Sequence, residues 1–330
     1  MKAEVTITVL LLAIAAALWT WNPAAVGKLD QTDKADSVMP SQFVSTAYHR
    51  RSDSSSTANQ VLGEAISQLR NSPPLIAQVK LQIDLLDRKF LGTGQYSQIG
   101  TGSPKCRWDL TVDGVSTSLH LSQIFDGRFF YRLETQGDQR TLSYVDLFEV
   151  RRLTQQNVPG VANLSAWFGT GSLAVMLEQF QSAFDFQVAT PSQSTESNVT
   201  QPIQTTILRG EWNREAIRQL LRGQVAPEAF ESKITWNRLP GQLPHSVDLY
   251  LGTDDYLTSF PYQLICYQYV PTSGDEYARK QIFKLQLHRV EKKDSIADEQ
   301  FEVSASGLEP VDLTKDHIAR IKMYVETPLK

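Results

Sequence analysis

The feature that most constrains the fold is a period-two alternation of apolar and polar residues between positions 77 and 147. Apolar side chains occupy every second position around Val79, Trp108 and Leu119. Such alternation places one face of a β-strand against a core. Asp-Gly pairs at 113–114 and 126–127 are typical of tight hairpins, and strands joined by tight turns pair antiparallel. The pattern therefore predicts an antiparallel meander of about six strands.

A second group of strands is predicted after residue 200. Alternating segments, bounded by turn residues, cover 203–212, 234–238, 246–252, 263–270, 281–290 and 300–304. Apolar residues at helical spacing predict only three helices, which begin near Thr57, Leu173 and Arg214. Few short helices must then cover a long sheet. We therefore predict an α+β, mainly β fold, with a curved antiparallel sheet or open half-barrel covered by a few short helices.

The first 27 residues carry the clearest signal for the compartment. Lys2 precedes a charge-free apolar run from Val5 to Trp21. Its length lies between that of a signal-peptide core and that of a membrane-spanning helix. The sequence therefore predicts an exported, periplasmic protein. It leaves open whether residues 1–27 are a cleaved signal peptide or a retained membrane anchor.

The rest of the chain divides into a tether and one domain. Residues 28–57 are rich in Ser, Asp, Gln and Thr, which predicts a disordered tether. No Gly/Ser-rich linker interrupts the chain after residue 58. We therefore expect residues 58–330 to form a single β-rich domain with a helical middle at about 165–225.

The composition of the chain argues against several classes of function. The chain has 32 Lys+Arg against 36 Asp+Glu, which argues against a nucleic-acid partner because such proteins hold phosphates on a basic face. The five His lack metal-ligand spacing, and no motif combines a nucleophile, a base and an oxyanion donor. We therefore expect no enzyme activity, cofactor or metal site. Cys106 and Cys266 both fall in predicted strands, so the sequence is equally consistent with a disulfide and with two separate buried thiols.

Three segments carry a family resemblance. They are Lys105-Cys-Arg-Trp-Asp-Leu, the aromatic hairpin from Leu119 to Tyr131, and Pro244-His-Ser-Val-Asp-Leu-Tyr. Over about residues 58 to 325, the chain resembles the LolA/LolB-like lipoprotein-carrier superfamily, in particular its extended exported members of the planctomycete type. The resemblance implies an open β-barrel with helices as a lid over an apolar cavity that takes acyl chains. The chain departs from the carriers in its additional 150–230 region and in the membrane anchor that it could retain.

We therefore hypothesise an exported, non-catalytic module of the cell envelope that binds a lipid, an acyl chain or a lipoprotein. It would contact the membrane through its N-terminal segment. The alternative is a ligand-free structural or sensory domain that binds other proteins. The candidate cavity combines strand residues expected to share one face with two aromatic residues that precede the middle helix: Trp108, Leu110, Leu119, Leu121, Phe129, Tyr131, Trp167 and Phe168. A filled core is the other interpretation of the same pattern.

Overall fold

One sheet contains every strand that the structure describes. The computed structural model describes residues 51–85, 88–101, 104–113, 118–154, 171–189, 205–213, 216, 244–253, 257–272, 277–304 and 307–319. Its strands are β1 (Leu75–Leu85), β2 (Arg88–Ile99), β3 (Lys105–Asp113), β4 (Leu119–Phe125), β5 (Phe129–Gln136), β6 (Gln139–Asp146), β7 (Phe184–Ala189), β8 (Thr205–Trp212), β9 (Ser246–Gly252), β10 (Pro261–Pro271), β11 (Tyr277–Lys292) and β12 (Val311–Asp312). Its helices are α1 (Arg51–Arg70), α2 (Leu147–Thr154) and α3 (Leu173–Ala183), with a 3-10 helix at Asp298–Phe301 and a helical segment at 314–319.

The strand order is β12-β6-β5-β4-β3-β2-β1-β11-β10-β9-β8-β7. Neighbouring strands are antiparallel, as the tight turns within the meander require for β1 to β6, except that β12 runs parallel to β6. Strand β1 lies between β2 and β11, so the first and last thirds of the chain meet at the centre of the sheet. The described end strands, β12 and β7, are not paired with each other, so the sheet is open. The predicted fold class is confirmed.

Helices α1 and α3 cover one side of the sheet, which we call the helix face. Leu62 and Leu69 of α1 and Leu177 of α3 belong to the same buried cluster as Val79 and Tyr96 of the sheet. Residues at this spacing form one apolar stripe on a helix, and burying that stripe supplies most of the stability of a short helix. The core of the domain therefore lies between the helix face and these two helices.

Part of the opposite side of the sheet, the outer face, is also covered. Residues 293–304, which we call the strap, follow β11 and place Ile296 and Phe301 against Ile124 of β4. Lys105 Nζ lies 2.8 Å from Asp298 Oδ1, and Arg107 Nη1 donates a hydrogen bond of 3.0 Å to the Gln300 carbonyl. The strap explains why apolar residues occur on both sides of these strands.

Two predicted boundaries differ from the structure. The predicted strand at 300–304 is wrong, because a 3-10 helix occupies Asp298–Phe301. Strands β2 to β5 already have two neighbours each, so the strap lies across their faces instead of pairing with an edge. Helix α1 begins at Arg51, inside the predicted tether 28–57.

Other predictions fall outside the described residues. They are the segment 1–27, most of the tether, the strand at 234–238 and nearly all of the helix from Arg214. Among the helices that the structure does describe, none combines the length and hydropathy needed to cross a membrane. Cys106 and Cys266 are separate buried thiols, which resolves the alternative left open by the sequence. Burial raises the pKa of Cys106 to about 12, so this thiol is protonated and inert at neutral pH.

Candidate functional site

Three leucines on the helix face retain partial exposure within an otherwise buried apolar surface. Leu110 of β3 lies opposite Leu121 of β4 on one side and Gly94 of β2 on the other. Leu81 of β1 lies opposite Gly92 of β2. Directly opposed residues in antiparallel strands share a face, so these five residues form one strip, which we call the leucine band. All three leucines are partly exposed. Leu81 and Leu110 pack against the buried core cluster, and Leu121 lies opposite Glu134 of β5 on its other side.

The two glycines keep the middle of the leucine band flat. A Cβ atom on Gly94 would lie 1.9 Å from the Asp109 carbonyl oxygen, so the backbones of β2 and β3 approach too closely for any other residue. A Cβ atom on Gly92 would lie 3.2 Å from both the Leu81 Cβ atom and the Thr111 oxygen. Glycine inside a strand commonly marks such a close approach or a bend. The band therefore carries no side chain of its own at Gly92 and Gly94, where Leu81, Val112 and the backbone of β3 come close.

Trp108 connects the leucine band to helix α3. Its ring centroid lies 4.2 Å from that of Tyr96, and its indole Nε1 donates a long hydrogen bond of 3.4 Å to the Gly171 carbonyl, just before α3. The side chain is 8% exposed, so its apolar surface belongs to the core. Trp108 thus fixes where the N-terminus of α3 lies relative to the band.

The leucine band ends in polar residues on β4 and β5. Gln123 lies opposite Trp108 on one side and Arg132 on the other, and Gln123 and Arg132 are each only 6% exposed. Arg132 Nε forms an ion pair with Glu134. Burial lowers the pKa of the Arg132 guanidinium, and the charge of Glu134 opposes that change. Sequence reasoning missed these residues because only the register shows that they share a face with Leu121.

Four of the candidate cavity residues share the helix face. They are Trp108, Leu110, Leu119 and Leu121, of which Trp108 and Leu119 are buried and the other two are partly exposed. Trp167 and Phe168 lie outside the described residues. Whether the four residues line a cavity stays a prediction.

Phe129 and Tyr131 lie on the outer face instead. The β4–β5 turn leaves an even number of residues between the opposed Phe125 and Phe130. Odd-numbered residues of β4 therefore share a face with even-numbered residues of β5, which points Phe129 and Tyr131 away from Leu121. The prediction that Phe129 and Tyr131 share a face with Leu121 is therefore wrong.

Phe129 belongs to a second concave surface, the edge groove, on the outer face beside β6 and β12. Ring centroids of Phe129, Tyr131 and Tyr144 lie 5.7 to 6.1 Å apart. The groove encloses about 520 Å³, and its lining combines aromatic, apolar and charged side chains: Phe129, Tyr144, Asp146, Glu149, Leu153, Asp312, Thr314, Lys315, Ile318 and Ala319. Partial burial and the neighbouring Asp312 raise the pKa of Tyr144.

The carboxylates of the edge groove are engaged in local structure. Asp146 accepts hydrogen bonds from the amides of Phe148 and Glu149 at the start of α2, and its Oδ2 lies 2.7 Å from Arg128 Nη2. Glu149 is paired with Arg152. Burial alone would raise the pKa of Asp146, but the Arg128 hydrogen bond and the helix amides lower it overall. These acids therefore stabilise a helix N-terminus rather than form a catalytic pair.

A buried charged cluster on β8, β9 and β11 is also structural. Asp248 is 2% exposed and accepts hydrogen bonds from Arg209 and Arg279 at 2.8 to 3.2 Å. The Arg279 guanidinium also lies 3.8 Å from the centre of the Tyr267 ring. Within the part of the chain that the structure describes, no three His, Cys, Asp or Glu side chains are grouped to hold a metal ion.

Comparison with known proteins gives matches among solved structures only. No family model matches the chain, and no curated protein matches it in sequence. One matching structure is a DUF1329 family protein from Desulfovibrio piger, with 9% identity, 76% of this chain and 98% of that chain covered, and a TM-score of 0.33. Another is a putative outer membrane lipoprotein-sorting protein domain from Vibrio parahaemolyticus, with 5% identity, 75% and 97% coverage, and a TM-score of 0.31.

A LolA superfamily protein from Nitrosomonas europaea also matches, with 11% identity, 74% of this chain and 97% of that chain covered, and a TM-score of 0.29. The family that the sequence resembles is therefore among those of the matching structures. The TM-scores are low, so the open sheet described above rests on the strand register of this chain.

Proposed function

We propose that the protein is a non-catalytic binding module of the cell envelope, and that it holds a lipid, an acyl chain or the acyl part of a lipoprotein on the leucine band. One observation carries the proposal. Leu81, Leu110 and Leu121 stay partly exposed on the face that otherwise forms the core. Small apolar ligands bind against accessible apolar side chains that have a few polar groups nearby to fix their orientation.

The shape of the band supports a chain-like ligand. Four neighbouring strands, β1 to β4, contribute to it, and strands lie about 4.8 Å apart, so the band is about 14 Å long. Gly92 and Gly94 leave its centre without side chains. A linear acyl chain fits such a strip better than a bulky ring system.

Lipid mass spectrometry on the full-length protein, purified from its native membrane, tests the proposal most directly. We expect a co-purifying acyl lipid, and we expect Leu121→Trp to remove it by filling the band. Thr93→Trp is the matched control, because Thr93 is exposed and lies opposite Thr111 on the outer face. Absence of any lipid from the unmodified protein, together with no binding of a fluorescent fatty-acid probe, would contradict the proposal.

We further propose that the protein is exported to the periplasm and that residues 1–27 direct this export, either as a retained anchor or as a cleaved signal. The charge-free run from Val5 to Trp21 supports this proposal. Fractionation of cells that express the full chain or residues 28–330 tests it. We expect the full chain in the envelope fraction and the truncated chain in the cytoplasm.

A second candidate function, docking of another protein, is supported by the edge groove. Phe148 of α2 is 64% exposed and Val311 of β12 is 57% exposed, and both adjoin residues that line the groove. Large exposed apolar side chains beside a concave surface are typical of protein-binding sites. Photo-crosslinking in cells tests this function, and a crosslinker at position 148 should capture a protein. A crosslinker at position 91 is the control and should capture none, because Leu91 is also exposed, at 52%, but lies away from the groove.

A further inference from the structure

Gln123 is a buried polar residue to which the described part of the structure offers no hydrogen-bond partner. The residue is 6% exposed on the helix face, two positions after Leu121. No described residue forms a hydrogen bond with its side-chain amide. By contrast, the side chain of the buried Gln98 is bonded to Tyr96, Leu69 and Ser72. Neither its amide nitrogen nor its amide oxygen is fully buried, so both are open to a ligand at this end of the band.

The surroundings of Gln123 select a neutral ligand group. Arg132, opposite Gln123, carries a positive charge, but its ion pair with Glu134 balances that charge. An anionic headgroup would therefore gain little net attraction here, and its desolvation would oppose binding. An amide donates two hydrogen bonds and accepts through its oxygen, so it suits an uncharged carbonyl.

We propose that Gln123 binds the ester or amide carbonyl at the head of an acyl chain whose methylene groups lie on the leucine band. This inference rests on the proposed function and specifies its ligand as a neutral acyl ester or acyl amide. Gln123 lies about 7 Å along β4 from Leu121. The carbonyl thus occupies the polar end of the band, and the chain extends over Leu121 and Leu110 towards Leu81.

Competition against a fluorescent acyl probe tests the inference with three compounds of similar length: methyl laurate, laurate and tetradecane. We expect the full-length protein to bind methyl laurate about tenfold more tightly than either of the others. Gln123→Leu and Gln123→Met should bind methyl laurate and tetradecane equally. Equal affinities for the ester and the alkane in the unmodified protein, or a preference for laurate, would overturn the inference and leave the proposed function standing. No binding of any compound or of the probe would overturn both.

Stability of the ligand-free protein provides a second measurement. Because Gln123 has no described partner, Gln123→Leu should keep or raise the midpoint of thermal unfolding. Gln98→Leu is the matched control, and it should lower the midpoint because three hydrogen bonds are lost. A lower midpoint for Gln123→Leu, equal to that of Gln98→Leu, would show that Gln123 is bonded within the protein and would overturn the inference.

Discussion

Tyr96 donates a buried hydrogen bond of 2.5 Å to Gln98 on the same strand, and this pair joins the two helices that cover the sheet. Gln98 Nε2 donates to the Leu69 carbonyl at the end of α1 over 3.0 Å. The Tyr96 hydroxyl oxygen accepts a bond of 3.0 Å from the Leu173 amide at the start of α3. Two helix ends, which lack partners within their own helices, are thus satisfied by one pair on β2.

Tyr96→Phe should lower the free energy of unfolding by about 2 kcal/mol. The substitution keeps the ring but removes the hydroxyl, which leaves the Leu173 amide and the Gln98 oxygen buried without partners. Urea denaturation measures the change. Tyr131→Phe is the control, because its ring lies on the outer face and is only partly buried, and it should change stability by less than about 0.5 kcal/mol.

Gly94→Ala and Gly63→Ala should have opposite effects. A Cβ atom at position 94 would lie 1.9 Å from the Asp109 oxygen, so β2 and β3 must separate, at a cost of about 2 kcal/mol or more. Position 63 lies in α1 with no atom within 4 Å of a new Cβ, and alanine there should stabilise the helix by about 0.5–1 kcal/mol. Thermal unfolding of both variants measures these two changes in stability. A neutral Gly94→Ala would contradict the close approach of the two strands.

His245 should make stability fall as the solution is acidified. Burial lowers its pKa from 6.5 to about 4, and its Nδ1 accepts a hydrogen bond of 2.8 Å from the Tyr269 amide. The unfolded chain binds a proton below pH 6.5 while the folded chain does not, so this contribution is full above pH 6.5 and is lost as pH falls towards 4. The loss between pH 7 and pH 5 is about 2 kcal/mol.

Denaturant titrations at several pH values measure that slope. His245→Asn should flatten it, because an amide oxygen can accept the Tyr269 bond without titrating. An equal slope in His245→Asn and the unmodified protein would contradict the assignment.

Asp248→Ala should destabilise the protein by about 2 kcal/mol. The substitution removes a buried acceptor of charge-assisted hydrogen bonds, whereas Arg209 and Arg279 are partly exposed and can be solvated by water. Asp298→Ala tests an exposed ion pair for comparison, since Asp298 is 72% exposed where it meets Lys105, and it should cost no more than about 1 kcal/mol. Similar losses in the two variants would contradict a buried role for Asp248.

Local pattern was sufficient to predict the meander and the helix face of β3 and β4. Trp108 and Leu110 alternate with polar residues, so their shared face follows from the sequence. Phe129, Phe130 and Tyr131 are consecutive aromatic residues, so alternation could not decide which of them faces the helices. Only the strap, packed on the outer face near Tyr131, explains why both sides of β5 are apolar.

Contacts between distant parts of the chain could not be predicted. Leu81 lies opposite Leu285, and no local signal states that β1 and β11 are neighbours. The polar end of the leucine band was missed for the same reason. Gln123 interrupts the apolar pattern of β4, and its position beside Arg132 depends on a strand register that the sequence alone leaves free.

The central position of β1 also sets an order of events during folding. Strands β1 to β6 can pair as soon as they are made, but one edge of β1 stays unpaired until β11 arrives from about 200 positions later in the chain. An unpaired central strand is a template for association with other chains, and closing so long a loop is slow. The nascent chain therefore exposes an unpaired strand edge that favours aggregation until nearly all of the chain has been synthesised. A chain truncated before Tyr277 should for this reason aggregate rather than form a smaller domain.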